Sequence, residues 1–156
     1  MAYLEEIIKE KNSLLAPLKE QIEAMAPFGA EEIETIYAAA FGLYEGGDYK
    51  KAAGLFTHLI FHDPFEPRFW KGLASAEQMG KRYTEALHAW AVLSLINPEL
   101  AEAHFHAAEC LLSCGDKEEA QKALRLALAH SKESDALFAK INLVTKRIQR
   151  EENGSD

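Results

Sequence analysis

The chain has 156 residues, enough for one domain with a hydrophobic core, and 48% of them are hydrophobic and 27% charged, as in ordinary soluble globular proteins. The net charge is −8 and no dense cluster of lysine and arginine is present, which argues against a nucleic-acid partner. No apolar run reaches the length of a membrane span, so we expect no membrane partner either.

The cysteines and the N-terminus bear on the cellular compartment. Cys110 and Cys114 lie four residues apart in a helical stretch, which is no disulfide framework and is typical of a reducing cytoplasm. Residues 1–11 carry several charged side chains, which the apolar core of a signal peptide excludes. We therefore expect the chain to stay in the compartment in which it is made.

Residues 1–29 are predicted to form a helical segment outside the rest of the fold. Its apolar residues follow steps of four and three, broken by Lys11, and Pro17 is expected to divide the segment into two helices. The residues of this seam are Leu4, Ile8, Leu15, Leu18 and Ile22. Two interpretations remain open: the seam mediates dimerisation, or it packs on the helices that follow.

A 34-residue repeat organises the remainder of the chain. An offset of 34 aligns two series of alanines and one series of large apolar residues. These are Ala40, Ala74 and Ala108; Ala52, Ala86 and Ala120; and Phe56, Trp90 and Leu124. Small residues let two antiparallel helices approach closely, the large residue fills the gap one turn later, and Pro64 and Pro98 stop the second helix of the first two units. The pattern is typical of tetratricopeptide repeats.

The predicted fold is therefore an all-α tetratricopeptide-repeat solenoid of three helix pairs, with N-terminal helices and a C-terminal capping helix. The repeats occupy 30–132, divided into 33–66, 67–100 and 101–132, and the helix pairs lie near 33–61, 67–95 and 101–129. A closing helix is predicted over 133–150, starting near Ser134, and its polar outer face suits a cap. Residues 151–156 are expected to form a frayed tail.

The first helix of the first pair has more apolar surface than repeat packing needs. Tyr37, Phe41 and Tyr44 form an aromatic stripe at i, i+4 and i+7. First helices line the concave face of such a solenoid, where aromatic side chains hold an extended peptide well. Neighbouring first helices are expected to add Lys71, Ser75, Gln78, Phe105, Glu109 and Leu112. The alternative is that the N-terminal helices cover the stripe.

No residue pattern indicates catalysis. His106, Cys110 and Cys114 are spaced i, i+4, i+8, and such a row spans about 12 Å of helix, too far to close on one tetrahedral metal ion. His58 and His62 have no further ligand beside them, and the nucleotide-binding and hydrolase motifs are absent from the sequence. We expect no metal, no cofactor and no enzymatic activity.

Three stretches resemble the class II chaperones of type III secretion, the LcrH/SycD/IpgC group. They are Leu43–Tyr49, Phe69–Leu73 with Gln78, and Phe105–Leu112 followed by Gly115 and Asp116. The F-H-A-A-E-C-L-L run of the third stretch is the most specific, because a generic tetratricopeptide repeat does not require His and Cys there. The resemblance covers about residues 33–130.

The resemblance implies a bacterial cytoplasmic chaperone that works without ATP. It would bind an extended segment of a hydrophobic translocator or effector protein in its groove, keep that client secretion-competent, and form a homodimer, often through the N-terminal region. It places groove aromatics at Tyr37, Phe41 and Tyr44, with Tyr49 near the first turn. The alternative is a generic tetratricopeptide-repeat adaptor, for example one whose Lys, Arg and Asn side chains clamp a C-terminal carboxylate; Tyr37 and Phe41 stand at the corresponding places here.

Overall fold

A computed structural model describes residues 28–154, and within them the chain forms seven helices and no strand. The helices are α1 Ala30–Glu45, α2 Tyr49–His62, α3 Pro67–Met79, α4 Tyr83–Ile96, α5 Ala101–Ser113, α6 Lys117–Ala129 and α7 Ala136–Asn153. The predicted all-α repeat fold is confirmed, with the three helix pairs α1–α2, α3–α4 and α5–α6. None of these helices is both long and apolar enough to cross a membrane. The predicted seam of Leu4, Ile8, Leu15, Leu18 and Ile22 lies outside the described residues.

The aligned small residues hold the helix pairs together. All six repeat alanines are fully buried, at 0% exposure. The large residues of the third series, Phe56, Trp90 and Leu124, are buried beside them, and each belongs to a different one of three core clusters along the solenoid. A bulky side chain at an alanine position would push two helix backbones apart. The 34-residue period therefore corresponds to one packing unit.

The turns inside the pairs repeat with the same period. Gly47, Lys81 and Gly115 have positive φ angles of 82°, 62° and 85°. This left-handed conformation reverses the chain after the first helix and is strained for any residue with a Cβ. In the first and third turns an aspartate follows, Asp48 or Asp116, and its side chain accepts a hydrogen bond from the start of the second helix.

The closing helix α7 packs on the third pair. Ile141 and Ile148 are buried in the third core cluster. The outer face is largely polar, but it includes Leu143, which is 71% exposed. The helix ends at Asn153, three residues later than the predicted end at 150, so the first three residues of the expected tail are helical. Two contacts to α6 account for this extension: Glu151 pairs with Lys117 at 2.9 Å, and Glu152 accepts a hydrogen bond from Gln121 at 2.8 Å.

Candidate peptide-binding groove

The first helices α1, α3 and α5 enclose a cavity of about 760 Å³. Most of its walls come from these three helices, and Phe56 of α2 and Trp90 of α4 reach it from the core. The lining residues are Tyr37, Phe41, Tyr44, Phe56, Arg68, Lys71, Gly72, Ser75, Gln78, Met79, Trp90, Glu102, His106 and Glu109. Apolar side chains are concentrated toward α1, and polar side chains toward α3 and α5.

The aromatic half of the groove comprises Tyr37, Phe41 and Tyr44 of α1 with Met79 of α3. The i, i+4, i+7 spacing brings the three rings to one face of α1, and the Phe41 and Tyr44 ring centroids are 6.3 Å apart. Tyr49 of α2 supports Tyr44 in an edge contact at 5.7 Å. Phe41 and Met79 remain 46% and 52% exposed. This half therefore offers uncovered apolar surface on a rigid helix.

Tyr37 lies deeper than Phe41 and is partly covered. Its ring packs edge-on against Phe56 at 5.9 Å and is tilted toward Phe69 at 6.0 Å. The guanidinium carbon of Arg68 lies 4.9 Å from the centre of the Tyr37 ring, a cation–π contact. Tyr37 thus joins the aromatic half to the core beneath it.

The polar half comprises Lys71 and Gln78 of α3 with Glu102, His106 and Glu109 of α5. Lys71 Nζ lies 2.8 Å from Glu102, and Gln78 Nε2 donates to Glu109 at 2.9 Å. His106 Nδ1 lies 2.7 Å from the same oxygen of Glu109, and its ring stacks on Trp90 with centroids 4.8 Å apart. These contacts connect α3, α4 and α5 across the floor of the groove.

The arginine and the lysine of the cavity are both paired with carboxylates. Arg68 makes two hydrogen bonds to Glu34, at 2.8 and 3.3 Å, and also contacts Glu66. The hydrogen bond to Glu34 raises the pKa of the Arg68 guanidinium, and the same hydrogen bond lowers the pKa of the Glu34 carboxyl. With Lys71 held by Glu102, neither cation is left over to bind an isolated carboxylate of a ligand.

Glu109 is the most strongly engaged acid of the groove. Burial acts to raise the pKa of its carboxyl, but hydrogen bonds and charge interactions with His106, together with Gln78 and the charge of Lys140, outweigh burial and lower it. The carboxylate therefore stays ionised at neutral pH, and it accepts hydrogen bonds without donating any.

Most of the predicted peptide-binding residues line the cavity. They are Tyr37, Phe41, Tyr44, Lys71, Ser75, Gln78 and Glu109. Tyr49 lies behind Tyr44 rather than on the cavity wall. Phe105 is only 4% exposed and Leu112 is partly buried, because both pack in the third core cluster, which contains Ile141 of α7. The closing helix covers the end of the face on which repeat spacing places these two side chains.

Seven further lining residues were not predicted as groove residues from the sequence: Phe56, Arg68, Gly72, Met79, Trp90, Glu102 and His106. A signal for two of them lies in the spacing of opposite charges: Glu34 and Arg68 are 34 residues apart, and Lys71 and Glu102 are 31 apart. In a 34-residue repeat these separations place side chains on neighbouring first helices, within reach of one another. The spacing of His106 raised only the question of a metal ligand, and its stacking on Trp90 has no counterpart in the sequence pattern.

The two cysteines of α5 differ in environment. Cys110 is buried, and burial, followed by the charge of Glu109 and the neighbouring Cys114, raises the pKa of its thiol to about 12. Cys114 is exposed at the end of the helix. In the described part of the chain, no three His, Cys, Asp or Glu side chains come together as a potential metal site. Cys110 acts as a small core residue beneath the groove.

The chain is similar in sequence to known proteins. Residues 37–95 match the tetratricopeptide repeat family. The low calcium response locus protein H of Yersinia pestis is 29% identical over 131 residues, which cover 82% of this chain and 78% of that protein.

Two solved structures share the fold and were determined with bound peptides. The type III secretion chaperone SycD of Yersinia enterocolitica, in complex with a peptide of the translocator YopD, matches with a TM-score of 0.75 and 28% identity, covering 80% of this chain and 97% of that chain. PcrH, known from Pseudomonas aeruginosa, in complex with the chaperone binding region of PopD, matches with a TM-score of 0.76 and 25% identity, covering 81% and 98%. In sequence and fold, the chain is therefore similar to the type III secretion chaperone SycD and to PcrH.

Proposed function

We propose that this chain is a cytoplasmic chaperone that holds an extended segment of a hydrophobic translocator protein in the groove, without ATP, and keeps that client soluble and secretion-competent. The observation that carries the proposal is the aromatic half of the groove. Phe41 and Met79 are large apolar side chains left uncovered on a concave wall, where partly exposed aromatics favour a peptide ligand. SycD and PcrH, which share the fold, were solved with translocator segments bound.

A generic adaptor that clamps a C-terminal carboxylate is the second candidate. Such a clamp needs cationic side chains free to meet the ligand. Arg68 is engaged by Glu34 and Glu66, and Lys71 is engaged by Glu102. Binding a carboxylate there would require breaking these ion pairs, so the groove favours an apolar segment from within a client. The proposed function uses no catalytic residue, metal or cofactor.

The decisive experiment is calorimetric titration with synthetic peptides tiled across the translocator proteins of the same organism's type III system. Phe41→Ala and Tyr44→Ala should each weaken the tightest-binding peptide roughly thirtyfold, the effect of losing about 2 kcal/mol at a buried interface anchor. Helical content and melting temperature should change little. Phe61→Ala is the matched control, because Phe61 is 81% exposed and does not line the cavity.

Two results would count against this proposal. If no translocator peptide binds the wild-type protein, the chain is not a chaperone of that client class. If Phe61→Ala weakens binding as much as Phe41→Ala does, or if Phe41→Ala binds like wild type, the client does not occupy the aromatic half.

We also propose a homodimer that depends on the seam of Leu4, Ile8, Leu15, Leu18 and Ile22. The support is the apolar pattern of the sequence together with a dimer described for SycD. Removal of residues 1–25 should give a monomer in light scattering, and a truncated protein that still dimerises would exclude this seam as the interface.

A further inference from the structure

The direction of the hydrogen bonds in the polar half is set by one buried donor. Trp90 is 1% exposed, and its indole Nε1 can only donate. A buried donor requires an acceptor, and Gln78 Oε1 lies 2.8 Å away. The Gln78 amide is therefore fixed with its oxygen toward Trp90 and its NH₂ group toward Glu109, 2.9 Å away.

The donor-to-acceptor order of these hydrogen bonds also determines which nitrogen of His106 is a donor. Glu109 only accepts, so the Nδ1 of His106, 2.7 Å from Glu109 Oε2, must carry a proton. The other ring nitrogen, Nε2, lies 3.8 Å from Glu102 Oε1, too far for a hydrogen bond. Stacking on Trp90, with the ring planes 24° apart, holds the imidazole in this orientation.

The polar half consequently has acceptors to spare. In residues 28–154 no donor forms a hydrogen bond to Glu109 Oε1 or to His106 Nε2. Lys140 of α7 contributes favourable charge near Glu109 but forms no ion pair with it within 4 Å. An extended polypeptide carries one backbone N–H per residue, proline excepted, and on an extended strand these groups point alternately to opposite sides. Backbone N–H groups are thus the donors that every extended client supplies, whatever its side chains.

We propose that Gln78, Glu109 and His106 form a main-chain recognition site, in which the Glu109 carboxylate, held by the other two side chains, accepts hydrogen bonds from backbone N–H groups of the extended client. Trp90 is the positioning residue that fixes the direction of the hydrogen bonds within the site. This inference rests on the proposed function and adds to it which part of the client each half of the groove contacts. The aromatic half contacts client side chains, and the polar half contacts the client backbone.

The middle repeat alone carries this arrangement among the three described pairs. One period earlier, Tyr44 and Phe56 occupy the positions of Gln78 and Trp90; one period later, Leu112 and Leu124 occupy them. Neither pair joins an indole donor to an amide. The Gln78 amide and the Trp90 indole thus occur together in one repeat, as expected if the indole orients the amide.

The test uses the translocator peptide identified by titration, in versions with single amide-to-ester replacements. An ester removes one N–H and leaves every side chain in place. For the wild-type protein we expect one or two positions at which the ester weakens binding about tenfold, the effect of losing a hydrogen bond to a charged acceptor. In Glu109→Leu the same ester should cost less than about twofold, because the acceptor of that N–H has been removed. In Gln78→Leu the ester penalty should fall below that of the wild type, because Glu109 loses the amide donor that holds its carboxylate.

Glu118→Gln is the matched control, since Glu118 is an exposed carboxylate of α6 that does not line the cavity; this variant should keep the full ester penalty. Trp90→Phe removes the N–H and keeps an aromatic ring, and it should reduce the ester penalty while leaving the penalty of Phe41→Ala unchanged. If Trp90→Phe does not fold, Gln78→Leu, whose side chain lies at the groove surface, tests the same step.

The inference is overturned if no ester position weakens binding, or if the ester penalty is the same in wild type and Glu109→Leu. It is also overturned if replacing a client lysine or arginine by norleucine weakens binding to the wild type but not to Glu109→Leu, while no ester replacement shows this difference. The site would then recognise a basic side chain. Tight peptide binding without ester coupling leaves the proposed function intact, whereas no binding by the wild-type protein removes both.

Discussion

The aromatic and polar halves of the groove occupy equivalent positions of successive repeats, yet they offer a bound chain different interactions. Tyr44 and Gln78 are one period apart, as are Phe56 and Trp90 in the core beneath them. Replacing a ring by an amide, and a phenyl by an indole, converts an apolar wall into a directed hydrogen-bond network. The repeat determines where the backbone lies, and the chemistry of each groove segment depends on a few side chains that the packing leaves free to vary.

The largest effect expected separates the core beneath the polar half from the surface of the aromatic half. Trp90→Ala removes a fully buried indole and should lower the free energy of unfolding by about 3–5 kcal/mol. Phe41→Ala, at a half-exposed position, should lower it by far less. Urea denaturation followed by circular dichroism measures both. Equal losses would mean that Phe41 belongs to the core and that the two halves differ less than the structure indicates.

A second comparison uses the glycine in the interior of each of two first helices. A Cβ at Gly72 would overlap the ring of Phe56, so Gly72→Ala should cost about 1–3 kcal/mol of stability. A Cβ at Gly42 of α1 would have no packing neighbour within 4 Å, so Gly42→Ala should stabilise the protein by about 1 kcal/mol through helix propensity. Melting temperatures that move in the same direction would contradict this prediction.

The turns of the first and second repeats allow a finer comparison. Lys81 adopts the left-handed conformation that glycine adopts at Gly47, and Arg82 follows it without the side-chain cap that Asp48 provides. Lys81→Gly should relieve this strain and raise the free energy of unfolding by roughly 1 kcal/mol. Gly47→Ala should lower it by a similar amount. The prediction fails if chemical denaturation finds Lys81→Gly no more stable than wild type.

The smallest effect expected concerns pH. Because the folded-state pKa of Glu109 is lowered, its carboxylate contributes stability at pH values above the ordinary carboxyl pKa, and this contribution is lost as the pH falls through the lowered value. The stability difference between wild type and Glu109→Gln should therefore shrink between pH 6 and the acid limit of folding. It should be less than about 1 kcal/mol throughout, since solvent screens this partly exposed group.

The control for this pH series is Glu118→Gln, because Glu118 is a surface carboxylate of α6 away from the cavity. Its stability difference should stay near zero over the whole range. A difference for Glu109→Gln that grows toward low pH would contradict a lowered pKa of the Glu109 carboxyl.

The repeat fold was predictable because the 34-residue spacing of its small residues follows directly from how the helices pack. Ala40, Ala74 and Ala108 are all fully buried, as the 34-residue alignment requires. The aromatic half was predictable for a similar reason, since helical periodicity alone brings Tyr37, Phe41 and Tyr44 to one face of α1.

The polar half was less accessible to sequence reasoning. Periodicity places Gln78 and Glu109 on the groove side. The hydrogen bond between Gln78 and Trp90, however, joins residues twelve apart on two successive helices, and it depends on a side-chain rotamer and an amide orientation. Phe105 stands in register with Tyr37 and Lys71, yet it is buried because α7 packs over it. Repeat spacing describes neighbours within the solenoid and contains no information on where a non-repeat helix ends the groove.

The burial of Phe105 beneath the closing helix also limits the length of client chain that the groove can hold. With α7 covering that end, only the three first helices α1, α3 and α5 remain to receive a ligand. Neighbouring packed helices lie about 8–10 Å apart, so the open concave side spans roughly 20–30 Å. An extended chain advances about 3.3 Å per residue, which lets roughly six to nine residues lie across it at once. A groove of this size holds only a short segment of its client, and the rest of a long translocator must remain outside it.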